Sequence, residues 1–179
     1  MRKLTSLACS ILAFAAIGGS AGAAAPDVGV LSVEGGKGAV TLELKGSVLG
    51  RLSLGTLRVT DKTPLDRYAA LVVGRKLTQE RVGPRTILYK GNGLRFRMVG
   101  GGYKIVVRGT GISLSAVGRG VASLDGDRRF AGEDAGVYSL EDGVDCGIEP
   151  LLCDALPDEP RQFVLDGAPI EEEEAGSRK

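Results

Sequence analysis

The chain of 179 residues contains no histidine and no tryptophan, and only four phenylalanines and four tyrosines. Without histidine, Ser–His and Cys–His nucleophilic sets lack their base. Histidine-ligated metal sites are excluded for the same reason. The scarcity of rings argues against a nucleic-acid partner, because base stacking needs exposed aromatic platforms. It argues equally against a two-carboxylate glycosidase, which needs an aromatic-lined groove. A hydrolase built from this alphabet would have to use carboxylates, Lys, Tyr or a Ser–Lys pair, so a carboxylate-dependent hydrolase stands last among the function classes. No motif asks for a cofactor. Net charge is nearly absent too, since 23 Lys+Arg stand against 22 Asp+Glu.

The balance conceals an uneven distribution. Residues 27–140 hold 18 basic and 10 acidic side chains, whereas residues 141–179 hold 3 basic and 12 acidic ones. A basic body is followed by an acidic C-terminal part, and the two halves attract each other. The N-terminus has its own character. Arg2 and Lys3 precede a mostly apolar run from Leu7 to Ile17, and small residues follow at Ser20–Ala23. That order predicts a secretory signal peptide over residues 1–23, cleaved after Ala23. The apolar run is shorter than the roughly 20 residues of a membrane span. The expectation is an exported protein with no transmembrane segment after cleavage, placed in the cell envelope or outside the cell. Two cysteines then remain, Cys146 and Cys153, and a disulfide between them is expected in an oxidising compartment.

What the sequence has in abundance is alternation and glycine. Val40, Leu42 and Leu44 alternate with Thr41, Glu43 and Lys45; Leu52 and Leu54 flank Ser53; Leu57 and Val59 flank Arg58. The same period of two runs through Leu94, Phe96 and Met98, through Tyr103, Ile105 and Val107, and through Ile112 and Leu114. It marks half-buried strands. Turn signals such as Gly91-Asn92-Gly93 and Gly100-Gly101-Gly102 punctuate the runs. Together they predict an all-β domain over residues 24–167, an antiparallel β-barrel or β-sandwich of Gly-punctuated hairpins and meanders. The 28 glycines exceed what turns need, so several must serve bulges and bends inside strands. Residues 62–85 break the alternation and read as a loop-and-strand crossover. Residues 142–160 read as a loop-rich part holding the disulfide, Arg161–Leu165 as a last short strand, and residues 168–179 as a disordered acidic tail.

Two stretches resemble each other, as an internal repeat or as a chance likeness of two Gly-punctuated strand pairs. Laid at an offset of 63 residues, Lys45 meets Arg108, Gly46 meets Gly109, Ser47 meets Thr110 and Gly55 meets Gly118. Read as a repeat, they suggest two related β-meanders closing on one core.

The most informative stretch for function is residues 93–109, GLRFRMVGGGYKIVVRG. Read as a hairpin with Met98 opposite Tyr103, it buries one apolar face and sets Arg97 opposite Lys104, with Arg95 and Arg108 nearby. Residues 75–108 carry nine basic side chains and one acid, Glu80. Arg95, Arg97, Lys104 and Arg108 are therefore the candidate anion-binding face. Its expected partner is an anionic envelope polymer, an acidic glycan or lipid headgroups. The plainer alternatives are a solvated strand face that discourages edge pairing, docking of the acidic tail, and a structural or assembly protein without a small-molecule site. Calcium is disfavoured at DGDRRFAGED, residues 125–134, where Arg128 and Arg129 occupy positions that would need oxygen ligands. EGGKGAV at Glu34–Val40 lacks the spacing of a phosphate loop and reads as a turn.

The signal peptide, GLRFRMVGGGYKIVVRGTGISLSAVGRG and the late cysteine pair give the chain a loose resemblance to uncharacterised families of small, secreted, Gly-rich all-β bacterial proteins. That resemblance implies a β fold and an exported location, and it transfers no catalytic or binding residue.

Overall fold

The structure, a computed structural model, describes residues 28–64, 69–130 and 132–166. The expected signal peptide, residues 1–23, and acidic tail, residues 168–179, lie outside the described residues. The described chain is all-β. Its elements are β1 (Gly29–Asp61), β2 (Leu71–Gly83), β3 (Thr86–Met98), β4 (Gly102–Gly126), β5 (Val137–Ser139), β6 (Asp154–Ala155) and β7 (Arg161–Leu165). Two short 3₁₀ turns, Gly132–Ala135 and Pro150–Leu152, are the other regular elements. All pairings are antiparallel in one seven-stranded sheet of order β2-β3-β1-β4-β7, with β5 and β6 attached beside β1. The sheet is not closed into a barrel, since the order ends at β2 and β7.

The two long strands carry the architecture. β1 and β4 pair with each other along both of their edges, so the sheet coils over itself. Leu42, for example, faces Ile105 on one side and Ala122 on the other, and Tyr103 lies between Leu44 and Asp61. The alternation read from the sequence gives the core its inward face. Leu31, Val33, Leu42, Leu52, Leu57, Leu94, Met98, Ile105, Val107, Ile112 and Leu124 are each at most 2% exposed. One row across the sheet reads Val72, Phe96, Gly50, Leu114, Val33 and Tyr138. The ring of Phe96 lies over Gly50 and occupies the space a side chain there would need.

Glycines switch the phase of the alternation. β1 buries Val40, Leu42, Leu44, Val48 and Leu52, all at even positions, and then Leu57 and Val59 at odd ones. The switch falls at Gly55, whose φ is +149°. Leu54, expected to pack beside Leu52, is consequently 60% exposed. In β4 the switch lies between Val107 and Ile112, at Gly109 and Gly111. Glycine faces glycine repeatedly along this ladder, as at Gly46 opposite Gly118 and Gly55 opposite Gly109, where the strands approach closely. A Cβ on Gly109 would lie 2.9 Å from the Gly55 Cα, and one on Gly118 would lie 2.9 Å from the Gly46 Cα.

Two expectations are corrected. First, Met98 and Tyr103 are not hairpin partners, because β3 and β4 are not paired with one another. Both pair with β1, Met98 with Val48 and Gly102 with Lys45, so the chain passes the glycines at 100–102 and continues along the same strand. Gly46 N–H donates to the Gly101 carbonyl at 3.1 Å and spans that join. Second, the two copies of the 63-residue similarity are not separate meanders. They are the partners of one ladder, with the aligned glycines paired crosswise, 46 with 118 and 55 with 109. Within residues 62–85 the expected strand is β2, a 13-residue edge strand joined to β3 by a tight turn at Pro84-Arg85.

The disulfide joins Cys146 and Cys153, with Cα atoms 5.9 Å apart. Cys146 is buried, and its N–H donates to the Ser32 hydroxyl at 3.1 Å, which fixes this loop against β1. β7 covers Arg161–Leu165, as its alternation suggested, and pairs with the end of β4.

Candidate functional site

Burial of Leu94, Phe96 and Met98 turns the intervening Arg95 and Arg97 of β3 to the outer face, where both are exposed. Their neighbours come from three strands. Arg95 stands opposite Arg51 of β1 on one side and Val73 of β2 on the other. Arg97 stands between Leu49 and Leu71. Continuing outward along that row come Ser115, Ser32 and Ser139.

Two shallow hollows meet along the Arg51–Arg95 line. One, of about 470 Å³, is lined by Leu49, Arg51, Arg95, Ser113 and Ser115 together with Glu34 and Asp145. The other, of about 460 Å³, is lined by Arg51, Ser53, Val73, Arg75 and Arg95. Arg75 reaches this face because β2 pairs with β3 there, next to a bulge at Lys76, whose φ is +50°. Two like charges directly opposite in a ladder are mildly destabilising. One of them is offset here: Arg51 donates to a Glu34 carboxylate oxygen at 2.8 Å. That pair is solvent-exposed and contributes little to stability.

The other two expected residues lie elsewhere. Lys104 of β4 stands between Thr60 and Glu43, and its ammonium is 3.8 Å from the Glu43 carboxylate. Glu43 also accepts from Lys62, and that hydrogen bond is the main cause that holds its carboxyl below the usual range, with Lys104 contributing less. Arg108 stands between Thr56 and Ala39. Lys104 shares a third hollow with Arg58, Thr60 and Thr86, not with Arg95 or Arg97. The structure thus divides the expected quartet in two, because its members sit on strands that both bind β1 and do not bind each other.

Sequence reasoning missed Arg51 as a partner of Arg95. The two are far apart in the chain, and only the β1–β3 register brings them together. The signal available was that Arg51 alternates with Leu52 and so belongs to the outer face.

Arginine forks in this setting match the paired oxygens of carboxylates, phosphates and sulfates. Serine hydroxyls alongside them add donors of short reach. The acidic DGDRRFAGED segment is organised differently. Arg129 donates to both Asp127 carboxylate oxygens, at 3.0 and 3.1 Å, and holds the Asp127 pKa at about 2.

The class defined by fold and surface is a disulfide-bearing all-β protein whose coiled antiparallel sheet presents an arginine-rich outer face. Comparison with protein-family models, curated proteins and solved structures returns no match.

Proposed function

We propose that this chain is a non-enzymatic binding module of the extracytoplasmic space that holds an anionic polymer or acidic glycan on its arginine face. The observation that carries the reading is the convergence of Arg51, Arg75 and Arg95 from three neighbouring strands around two joined hollows, with Arg97 exposed next along the same face of β3. Arg51 and Arg95 stand directly opposite, a like-charge pairing that Glu34 offsets on the Arg51 side, and an anion seated beside Arg95 supplies the opposite charge there. The hollows are open and shallow, which suits an extended chain of repeated charges better than a small molecule enclosed on all sides. The signal peptide expected from the sequence, the disulfide and the lack, among the described residues, of any helix long and apolar enough to cross a membrane support an exported setting.

Retention of the purified protein on immobilised anionic polysaccharide, measured at rising salt, tests the proposal. Saturable retention that weakens as salt rises is expected, because contacts between exposed charges are screened over roughly 10 Å at 0.1 M salt. Absence of retention at low salt, for polymers bearing carboxylate, sulfate and phosphate alike, overturns it.

A further inference from the structure

The loop between β5 and β6 presents apolar side chains that the fold does not use. Leu151 is 95% exposed, Ile148 78% and Leu152 60%. They do not hang on a slack segment. The disulfide closes the loop, and Cys146 is tied to Ser32. Within the loop, the N–H groups of Ile148 and Glu149 donate to the Asp145 carbonyl at 2.8 and 2.7 Å, and Leu152 N–H donates to the Glu149 carbonyl at 3.1 Å. A pre-ordered loop loses little entropy on docking. Its surroundings define what it docks on. Residues 141–160 hold Glu141, Asp142, Asp145, Glu149, Asp154, Asp158 and Glu159, and no basic side chain. An anionic lipid surface would repel it, so the occupant must be apolar and cationic.

One surface of that description lies on the same molecule. Leu49, Leu71 and Val73 are 53%, 60% and 50% exposed among Arg75, Arg95 and Arg97. Asp145, at the base of the loop, lines the same hollow as Arg51 and Arg95. Acidic-apolar loop and basic-apolar face therefore lie side by side on one surface. A loop cannot fold back onto a face it already adjoins when its base is clamped. A second copy related by a twofold axis can seat its loop there while offering its own face in return. Such a contact is self-complementary and closes at two copies.

We propose that the chain forms a twofold dimer in which loop 145–152 of each copy docks on the Leu49, Leu71, Arg95 and Arg97 face of the other. The inference rests on reading that face as a docking surface for anionic groups, and it makes the second copy a competitor of the polymer.

Sedimentation equilibrium of the purified protein, across concentrations from about 1 to 100 µM, tests it with four proteins. The unaltered protein is expected to pass from monomer to dimer mass. Leu151→Asp, on an exposed position that leaves the core untouched, is expected to raise the midpoint concentration by about tenfold or more, as truncating an apolar anchor does. Asp145→Lys/Glu149→Lys and Arg95→Glu/Arg97→Glu are each expected to be monomeric, and their equimolar mixture to dimerise, since both contacts of the mixed pair regain opposite charges. A protein that stays monomeric throughout, a dimer indifferent to Leu151→Asp, or a mixture that stays monomeric overturns the proposal. The proposed polymer binding fails separately. Leu151→Asp should keep its retention on anionic polysaccharide, whatever its state of association.

Discussion

Adding one methyl group at chosen strand glycines separates two physical costs that the fold avoids with glycine. Gly93 has φ +59° with nothing within 4 Å of a built Cβ, so Gly93→Ala carries only the left-handed backbone cost, about 1–2 kcal/mol. Gly46 lacks that backbone conformation, but its Cβ would lie 2.6 Å from the Gly118 Cα, so Gly46→Ala carries only the overpacking cost, about 1–3 kcal/mol. Gly109 combines both: φ is +148° and the Cβ would lie 2.9 Å from the Gly55 Cα and against the Leu54 carbonyl. Gly109→Ala should therefore cost about 2–5 kcal/mol, a large share of a typical stability of roughly 5–15 kcal/mol. Urea unfolding followed by far-ultraviolet circular dichroism reads the order directly, and tyrosine fluorescence serves as second probe in a chain without tryptophan. The expected ranking places Gly109→Ala lowest in midpoint. A Gly109→Ala protein as stable as Gly93→Ala would refute the close approach of the two strands at this point.

Other consequences follow from the same contacts. Replacing both cysteines with serine should destabilise by about 2–3 kcal/mol on the chain-entropy estimate for so short a loop, measured as a lower urea midpoint; an unchanged midpoint would mean the loop is held without the bridge. Asp127, held at about 2 by Arg129, should titrate in NMR below the ordinary value of 3.8 and return toward it in Arg129→Gln. Because the folded value is the lower one, any stability this pair contributes is present above about pH 4 and lost as pH falls toward 2. A midpoint of Asp127 unaffected by Arg129→Gln would contradict the pairing.

Much of the β structure was legible in local pattern. Alternation at Leu94–Met98 and Tyr103–Val107 identified the buried side chains correctly, because period-two burial is a property of each strand alone. Arg161–Leu165 was legible for the same reason. The glycines at 100–102 were read as a reversal, although they let the chain continue along β1. Glycine permits both outcomes, and the choice is made by whether β1 is long enough to bind β3 and β4 in succession. Leu54 was misassigned because a phase change at Gly55 is a backbone event that side-chain alternation cannot register. The candidate site was half legible: Arg95 and Arg97 lie on one face, while Arg51 and Arg75 joined it, and Lys104 and Arg108 left it, through long-range register.

The arginine face is tested most directly by comparing two double variants for retention on the same anionic polysaccharide at fixed low salt. Arg95→Gln/Arg97→Gln removes one charge from the joined hollows and a second beside it on the same face, and Lys104→Gln/Arg108→Gln removes two from elsewhere, so both lose the same net charge. The first should lose most of its retention and the second should keep nearly all of it. Equal losses would show that net charge alone governs binding, and would contradict a site on this face.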